Sequence, residues 1–282
     1  MFHYILKKMK RQIKEKLQIR IPVNVPVLYG ELLKGRVALI TGGTSGIGYA
    51  MAEAFLRNGA VVIITGRKQT RIDKACIELR KDHLEYEVYG VELDNRDIDN
   101  MNAAFEKVCG FLSNQKIDIF VNNAGVINKT FFGSMTEADY DLVMDTDLKG
   151  PFFLAQLVSK YMINNKIQGN ILNVSSSSAL RPAVSSYGLA KWGINGMTLG
   201  LAKYLRRYGI VVNSIAPGPT ATSMLFDDGI IDLSRPKSPS ERFATAEEIA
   251  NLAVILVSDL GRMINGDTVY ATGGCGVLTF DD

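Results

Sequence analysis

Histidine and cysteine are scarce in this chain of 282 residues, and their scarcity excludes several kinds of chemistry. The two histidines, His3 and His83, lie near no other candidate ligand or nucleophile in the sequence. A catalytic Ser-His-Asp group and a zinc site are therefore not favoured. The three cysteines, Cys76, Cys109 and Cys275, are odd in number and widely spaced, so neither a disulfide framework nor a Cys-x-x-Cys metal site can be drawn.

Long apolar runs are also missing. No stretch approaches the ~18 apolar residues of a membrane-spanning helix, and the first twenty residues are too charged for the core of a signal peptide. We therefore expect an intracellular, cytoplasmic protein. A hydrophobic content of 47% is enough to bury a full core, and the small formal charge of +3 gives no sign of a nucleic-acid surface.

Positive charge is concentrated at the N-terminus. Residues 1–20 carry one acidic residue, Glu15, against seven basic ones: Lys7, Lys8, Lys10, Arg11, Lys14, Lys16 and Arg20. An apolar stripe runs through the same segment at helical spacing, formed by Phe2, Leu6, Met9, Ile13 and Leu17. The pattern predicts a basic amphipathic helix that packs on the body or on a neighbouring subunit, with an anionic membrane surface as the alternative. We expect residues 1–34 to be an extension of one catalytic domain spanning residues 35–282.

From Arg36 onward, strand patterns and helix patterns alternate, and the apolar runs are too continuous for a half-exposed sheet. The predicted strands are Val37–Ile40, Val61–Ile64, Val88–Leu93, Ile117–Val121, Asn170–Val174, Ile210–Ser214 and Asp267–Ala271. The predicted helices are Ile47–Asn58, Gln69–Asp82, Asp97–Ser113, Glu137–Asn164, Ser185–Arg207 and Ala246–Ser258. This alternation predicts an α/β fold of the Rossmann type, a doubly wound, seven-stranded parallel sheet with helices on both faces. Thr245 and Glu248 predict a capping box, and the long irregular segment 217–243 is typical of a lid.

A glycine-rich turn follows the first predicted strand and opens the first predicted helix. Gly42, Gly46 and Gly48 permit close approach of the backbone, and the free N–H groups and helix dipole suit a pyrophosphate. We interpret this turn as a dinucleotide site. After the second strand the chain reads Thr65-Gly66-Arg67, where an NAD-binding fold usually carries a carboxylate. Arg67 instead offers a planar cation to a 2′-phosphate, which favours NADP(H) over NAD(H).

Tyr187 and Lys191 form the strongest catalytic candidate. Their i, i+4 spacing places a phenol and an ammonium on one helix face, where the cation favours the ionised phenolate. Such a tyrosine can exchange a proton with a substrate hydroxyl. The spacing alone is weak evidence, because Tyr4 and Lys8 repeat it without any supporting motif.

Taken together, residues 34–275 resemble a classical short-chain dehydrogenase/reductase. The resemblance rests on ordered motifs: Thr-Gly-x-x-x-Gly-Ile-Gly at 41–48, Leu93-Asp94, Asn122-Asn123-Ala124-Gly125, Asn173-Val174-Ser175-Ser176, Tyr187-x-x-x-Lys191 and Asn213-Ser214-Ile215-Ala216-Pro217-Gly218. It implies reversible hydride transfer between a nicotinamide and a secondary alcohol or ketone.

The resemblance also implies roles for individual residues. Ser176 would hydrogen-bond the substrate oxygen, Tyr187 would act as general acid or base, and Lys191 would bind the nicotinamide ribose. Asp94 would lie against the adenine, while Asn122, Ala124 and Gly125 would flank the adenosine ribose. The remaining cofactor contacts are expected at Gly42, Thr44, Ser45, Gly46, Ile47, Gly48, Arg67, Pro217, Gly218, Thr220 and Thr222.

Three positions depart from the family pattern. Asp147 stands where an asparagine is usual, and its backbone carbonyl is expected to keep its place in a proton relay. Its charge is expected to hold Lys191 more tightly and to alter the pH profile. Ser176 precedes Tyr187 by a short interval, which leaves Ser177 as an alternative serine. Thr272 replaces a frequent aspartate at a structural position.

The substrate is open at the level of sequence. The pocket is expected to be lined by residues 126–133, 178–186 and 223–243, and four cations would permit an anionic substrate: Arg181, Arg235, Lys237 and Arg242. A carbonyl reductase is favoured, with a 3-oxoacyl-thioester reductase and a sugar or polyol dehydrogenase as alternatives. From another class comes a non-catalytic dinucleotide-binding scaffold. By the same resemblance, we expect a homodimer or homotetramer paired through the long helices that contain Phe152, Phe153, Leu157, Trp192, Met197 and Leu201.

Overall fold

The computed structural model describes residues 30–81, 85–128, 130–222 and 233–278. The predicted N-terminal amphipathic helix and residues 223–232 of the predicted lid lie outside the described residues. Within the described part, no helix is both long and apolar enough to cross a membrane.

One parallel sheet organises the fold, as the sequence predicts. Its strands follow the spatial order β3-β2-β1-β4-β5-β6-β9, and each neighbouring pair is parallel. The strands of the chain are β1 (Val37–Ile40), β2 (Val61–Gly66), β3 (Val88–Glu92), β4 (Ile119–Asn122), β5 (Asn170–Val174), β6 (Val211–Pro217), β7 (Thr220–Ala221), β8 (Ala244–Thr245) and β9 (Thr268–Ala271). Strands β2 and β3 extend the sheet on one side of β1, and β4 begins its extension on the other side. A crevice therefore opens at the carboxyl ends of β1 and β4, where the strand order reverses.

Both faces of this sheet are buried. In β1, Ala38 and Ile40 pack into one apolar cluster while Val37 and Leu39 pack into another on the opposite face. This placement explains why the strands read as unbroken apolar runs rather than as alternating patterns. The helices that cover the sheet are α1 (Gly46–Arg57), α2 (Gln69–Arg80), α3 (Met101–Gly110), α4 (Glu137–Met144), α5 (Gly150–Asn164), α6 (Ser186–Leu205) and α7 (Ala246–Val257).

The helix predicted over Glu137–Asn164 is confirmed in its extent, but it is not α-helical throughout. The segment forms α4 and α5 separated by one π-helical turn at Asp145–Lys149. Pro151 supplies the physical reason, because it has no N–H with which to continue the α-helical ladder to the carbonyl of Asp147. The ladder widens at that point, and the turn carries Asp147 into the interior.

The lid is anchored by its return strand. β7 and β8 form a small parallel sheet that the sequence did not predict. The capping box is confirmed, since Thr245 accepts from the Glu248 N–H while Glu248 accepts from the Thr245 N–H. Arg242 also binds Glu248 through both guanidinium NH₂ groups, at 2.8 and 2.6 Å. The end of the lid is thereby fixed to the start of α7.

Candidate active site

The glycine-rich turn leads from β1 into α1 at the crevice. Gly42 and Gly46 have φ angles of +66° and +57°, in the left-handed region that favours glycine. A Cβ on Gly42 would also stand 2.8 Å from the Cα of Ala124. Ser45, the N-cap of α1, makes no side-chain capping bond, and the first turn of α1 holds no acidic residue. The start of α1 therefore presents N–H groups and a positive dipole end to the crevice.

Three basic residues stand where β2 passes into α2. Arg67, Lys68 and Arg71 all line the crevice. The carboxylate of Glu92 at the end of β3 accepts from the Gln69 N–H at 3.1 Å and does not line the crevice. This end of the crevice is therefore positively charged. Sequence reasoning singled out Arg67 alone; the signal for Arg71 was its i+4 spacing from Arg67 across the start of a predicted helix.

Asp94 follows β3 and is held by Arg96. The Arg96 guanidinium binds both carboxylate oxygens, at 3.0, 3.2 and 2.6 Å. The side-chain bonds from Arg96 hold the pKa of Asp94 below its usual range, and the charge of Arg67 acts in the same direction. Asp94 lines the crevice as a fixed carboxylate.

Lys191 is buried on α6 next to Tyr187. Its Nζ lies 5.3 Å from the centre of the Tyr187 ring and donates to the Val174 carbonyl at 3.1 Å. The same Nζ lies 3.1 Å from Oδ2 of Asp147, whose side chain is fully buried. Oδ1 of Asp147 accepts from the Val126 N–H at 2.7 Å. Asp147 therefore ties α6 to the chain that follows β4.

Burial and charge act in opposite directions on this pair. Burial alone would lower the pKa of Lys191, but the charges of Asp147 and Tyr187 raise it above its ordinary value. Burial raises the pKa of Asp147, and the ammonium and the Val126 N–H oppose that rise. Gly125 permits the arrangement, because a Cβ there would stand 2.8 Å from Oδ2 of Asp147.

Ser176 lies two residues after the end of β5 and caps a short 3₁₀ turn at Ser177–Leu180. Its Oγ accepts from the Ser178 N–H at 3.1 Å and lies 3.3 Å from the Ser178 hydroxyl. Ser176, Ser177 and Ser178 all line the crevice. The interval between Ser176 and Tyr187 is shorter than is usual in the family, and this 3₁₀ turn accommodates it. Ser176 therefore still lines the crevice together with Tyr187.

These elements enclose one cavity of about 870 Å³. With one exception, the predicted site residues line it together: Gly42, Thr44, Ser45, Gly46, Ile47, Gly48, Arg67, Asp94, Ala124, Gly125, Asp147, Ser176, Tyr187, Lys191, Pro217, Gly218, Thr220 and Thr222. Val126, Ile127, Ser178, Arg181, Arg235 and Phe243 line it as well.

Asn122 is the exception. Its side chain is buried between β4 and β5, where its amide donates to Asn173 Oδ1 at 3.0 Å and to the Pro151 carbonyl at 3.2 Å. It does not line the cavity, whereas Asn123 does. Asn122 thus joins the two central strands to the start of α5.

The cavity fits a nicotinamide dinucleotide. One end offers the uncapped start of α1 and the cationic cluster of Arg67, Lys68 and Arg71, which suit phosphate groups. The other end offers Ser176, Tyr187 and Lys191 to a second, reacting molecule. Gly46 and Thr222 lie close together in this lining, since a Cβ on Gly46 would stand 3.5 Å from the Thr222 methyl group.

Known proteins that are similar to this chain are dehydrogenases and reductases. Residues 42–276 match a family model described as enoyl-(acyl carrier protein) reductase. The chain is 35% identical over 246 residues to the 3-oxoacyl-[acyl-carrier-protein] reductase FabG of Aquifex aeolicus, covering 86% of this chain and 98% of that protein. It is 34% identical to the 2-dehydro-3-deoxy-D-gluconate 5-dehydrogenase of Formosa agariphila, covering 86% and 93% of the two chains.

A solved structure agrees with these sequence matches. The crystal structure of a gluconate 5-dehydrogenase from Burkholderia cenocepacia, in complex with NADP and tartrate, matches with a TM-score of 0.79 at 27% identity. The match covers 88% of this chain and 97% of that one.

Proposed function

The chain belongs to the short-chain dehydrogenase/reductase family, and from that premise we propose that Ser176, Tyr187 and Lys191 form its catalytic group. The chain is an NAD(P)-dependent oxidoreductase that acts on CH–OH or carbonyl groups. The observation that supports the proposed residues is that all three line one cavity with the glycine-rich turn. Turnover of a panel of ketones, sugar acids and 3-oxoacyl thioesters, with NADPH consumption followed optically, tests the proposal.

The chemistry of the proposed group follows from its atoms. A bound nicotinamide supplies the hydride, or accepts it in the reverse direction. Tyr187 donates its hydroxyl proton to the oxygen of the carbonyl that is being reduced, and in the reverse direction takes the proton of the alcohol. The Ser176 hydroxyl holds the same oxygen, and the ammonium of Lys191 stabilises the negative charge on the Tyr187 oxygen.

Asp147 acts in this proposal as a positioning residue. Its contacts with Lys191 and the Val126 N–H fix the ammonium beside the Tyr187 ring. An asparagine in the same place would offer the Val126 N–H the same acceptor oxygen but would supply no charge to Lys191. The usual family residue and the residue present here therefore differ in charge more than in shape.

The cofactor we propose is NADP(H) in preference to NAD(H). The cluster of Arg67, Lys68 and Arg71 supports this preference. Among the described residues, the one acidic side chain that lines the cavity near this cluster is Asp94, and Arg96 neutralises it. An arginine fork beside the ribose matches a 2′-phosphate in charge and geometry.

Replacing Arg67 with serine is expected to weaken NADPH binding about 10- to 100-fold, the loss of one charge-assisted bond, and to leave NADH binding unchanged. Titration followed by nicotinamide fluorescence measures both constants. Lys74→Ser is the matched control, because it removes one exposed cation from α2, the helix that follows Arg67, at a position that does not line the cavity. Equal losses for both nucleotides, or tighter binding of NADH by the wild type, would contradict the preference.

The names of the relatives suggest the substrate classes that we propose. A carbonyl reductase remains the general proposal, with a 3-oxoacyl thioester as one candidate and a sugar acid as the other. The cavity wall near Tyr187 contains both apolar residues, Val126 and Ile127, and cationic ones, Arg181 and Arg235. We further propose a cytoplasmic location, residues 35–282 as the catalytic domain and residues 1–34 as an extension.

We also propose a homodimer or homotetramer paired through α5 and α6. Apolar side chains stand exposed there, Phe152 on α5 and Leu189, Trp192, Leu199 and Tyr204 on α6. Gly196 and Gly200 leave nothing within 4 Å of where a Cβ would stand, so the surface of α6 is flat enough for a second helix. The pattern supports self-association because isolated chains rarely expose such a patch.

Leu199→Glu is expected to shift the protein toward smaller assemblies, because burying a carboxylate in an apolar interface is unfavourable. Sedimentation velocity measures the distribution of masses. Ile77→Glu on α2 is the control, since Ile77 is 66% exposed and Leu199 is 64% exposed. Unchanged sedimentation of Leu199→Glu, or an equal effect of both variants, would argue against pairing through α6.

A further inference from the structure

Two arginines line the cavity that contains Tyr187, and neither has an acidic partner among the described residues. Arg181 follows the 3₁₀ turn before α6, and Arg235 lies on the return arm of the lid; both line the cavity that contains Ser176, Tyr187 and Lys191. The other two cations that the sequence placed around the pocket differ. Arg242 is bound to Glu248, and Lys237 is exposed and does not line the cavity.

Arg181 is held by its surroundings. The indole N–H of Trp192 donates to its carbonyl at 2.9 Å. Its Nε would lie 3.4 Å from a Cβ on Gly276, and Gly276 has a φ of +80°. The C-terminal segment thus passes close behind the guanidinium because a glycine stands at that point.

Arg235 is also held in place. Its guanidinium lies over the ring of Phe243, 5.2 Å from the ring centre. Its backbone accepts from the Ser238 N–H at 2.9 Å and donates to the Glu241 carbonyl at 2.8 Å. Phe243 lines the cavity beside it. A guanidinium stacked on an aromatic ring keeps its N–H donors free at the edge, so the site is organised before a ligand binds.

Five of the ten other arginines in the described residues already have a carboxylate. Arg36, Arg57, Arg96, Arg242 and Arg262 each lie within 4.0 Å of an acidic oxygen. Within the same described ranges, neither Arg181 nor Arg235 has such a partner. Two guanidinium groups that line the same cavity as Tyr187, with no salt bridge to a described residue, can each offer a carboxylate two parallel N–H donors.

We propose that Arg181 and Arg235 form an anion subsite that holds the carboxylate of a small hydroxy acid or oxo acid, with its carbinol or carbonyl carbon facing Tyr187. This inference rests on the proposed function. The substrate is then a negatively charged small molecule. Arg235, on the lid, contributes to the choice of substrate by binding its carboxylate. The apolar wall of Val126 and Ile127 then faces the uncharged part of the substrate.

The test compares matched pairs of substrates. Arg181→Gln and Arg235→Gln are assayed with 3-hydroxybutyrate against its methyl ester and with D-gluconate against D-gluconamide, using the full chain and NADP⁺. Each variant is expected to lower kcat/KM for the carboxylates about 10- to 100-fold, mainly through KM, and to leave the neutral analogues unchanged. Lys237→Gln, which removes a lid cation outside the cavity, is expected to match the wild type.

A binding measurement separates this inference from the proposed function. In the Tyr187→Phe background with NADPH present, tartrate is expected to raise the unfolding temperature, and Arg181→Gln or Arg235→Gln is expected to abolish that rise. Glycerol 3-phosphate distinguishes a phosphate from a carboxylate as the preferred anion. Preference for neutral substrates, or protection by tartrate that is independent of both arginines, would overturn the anion subsite. Loss of the Tyr187 dependence of turnover would instead overturn the proposed function.

Discussion

Tyr187→Phe is expected to reduce turnover about 10²- to 10⁴-fold, the usual contribution of a positioned general acid or base. The variant keeps the ring that lies 5.3 Å from Lys191 and removes only the hydroxyl. Binding of NADPH is expected to change little, because the phosphate-binding turn and the cationic cluster lie at the other end of the cavity. The effect therefore falls on kcat and not on the dissociation constant of the cofactor.

The control for Tyr187→Phe lies on the same helix. Tyr204→Phe removes a hydroxyl from α6 at a position that is 58% exposed and does not line the cavity. Wild-type activity in Tyr204→Phe combined with loss in Tyr187→Phe would assign the chemistry to one hydroxyl. If NADPH binds but neither variant differs from the wild type on any substrate, the chain is the dinucleotide-binding scaffold that the sequence left as an alternative.

Lys191→Met is expected to destabilise the protein by about 3–5 kcal/mol, because it leaves the buried carboxylate of Asp147 without its partner. The loss is expected to be smaller at acid pH, where burial lets Asp147 take up a proton. Denaturant unfolding at pH 5 and pH 8 measures both values. Activity is expected to be lost as well, since the ammonium beside Tyr187 is gone.

The double variant Lys191→Met with Asp147→Asn separates stability from function. An asparagine keeps an acceptor for the Val126 N–H and carries no charge, so most of the lost stability is expected to return. Activity is not expected to return with it. A double variant as unstable as Lys191→Met would show that the contact between the two charges is not what stabilises this region.

The single variant Asp147→Asn tests the charge of the pair alone. Asp147 raises the pKa of Lys191, and burial lowers it. Without the carboxylate, the ammonium is expected to lose its proton at a lower pH, so the alkaline limb of the activity profile moves toward neutral pH. A profile identical to that of the wild type would remove Asp147 from the catalytic account.

The sequence predicted the central strands well because they are buried on both sides. Val37–Ile40 and Asn170–Val174 were predicted with the bounds that the structure shows. A short continuous apolar run between turn residues is typical of a buried strand. The π turn between α4 and α5 was not predicted, although the bounds of the whole helical segment were. It depends on Pro151, whose position in the first turn of a helix is by itself compatible with an ordinary start.

The site was predictable to the extent that it lies at strand ends. Loops after parallel strands meet at one edge of the sheet, so motifs after β1, β4, β5 and β6 had to converge. The contact between Asp147 and Lys191 was expected from the family resemblance alone, because no local pattern signals the π turn that carries Asp147 inward. The sequence also could not show that Arg242 has a carboxylate partner while Arg181 and Arg235 lack one among the described residues. The partner of Arg242, Glu248, belongs to another element.

Transfer of deuterium from NADPH labelled at the reactive carbon of its nicotinamide is the most direct test of the central claim. The labelled cofactor is incubated with the substrate panel, and the alcohol products are analysed by mass spectrometry for wild type and Tyr187→Phe. We expect one deuterium on the carbinol carbon of a product formed by the wild type, and almost no such product from Tyr187→Phe. Cofactor binding without any labelled product, or equal labelling by both proteins, would contradict the account.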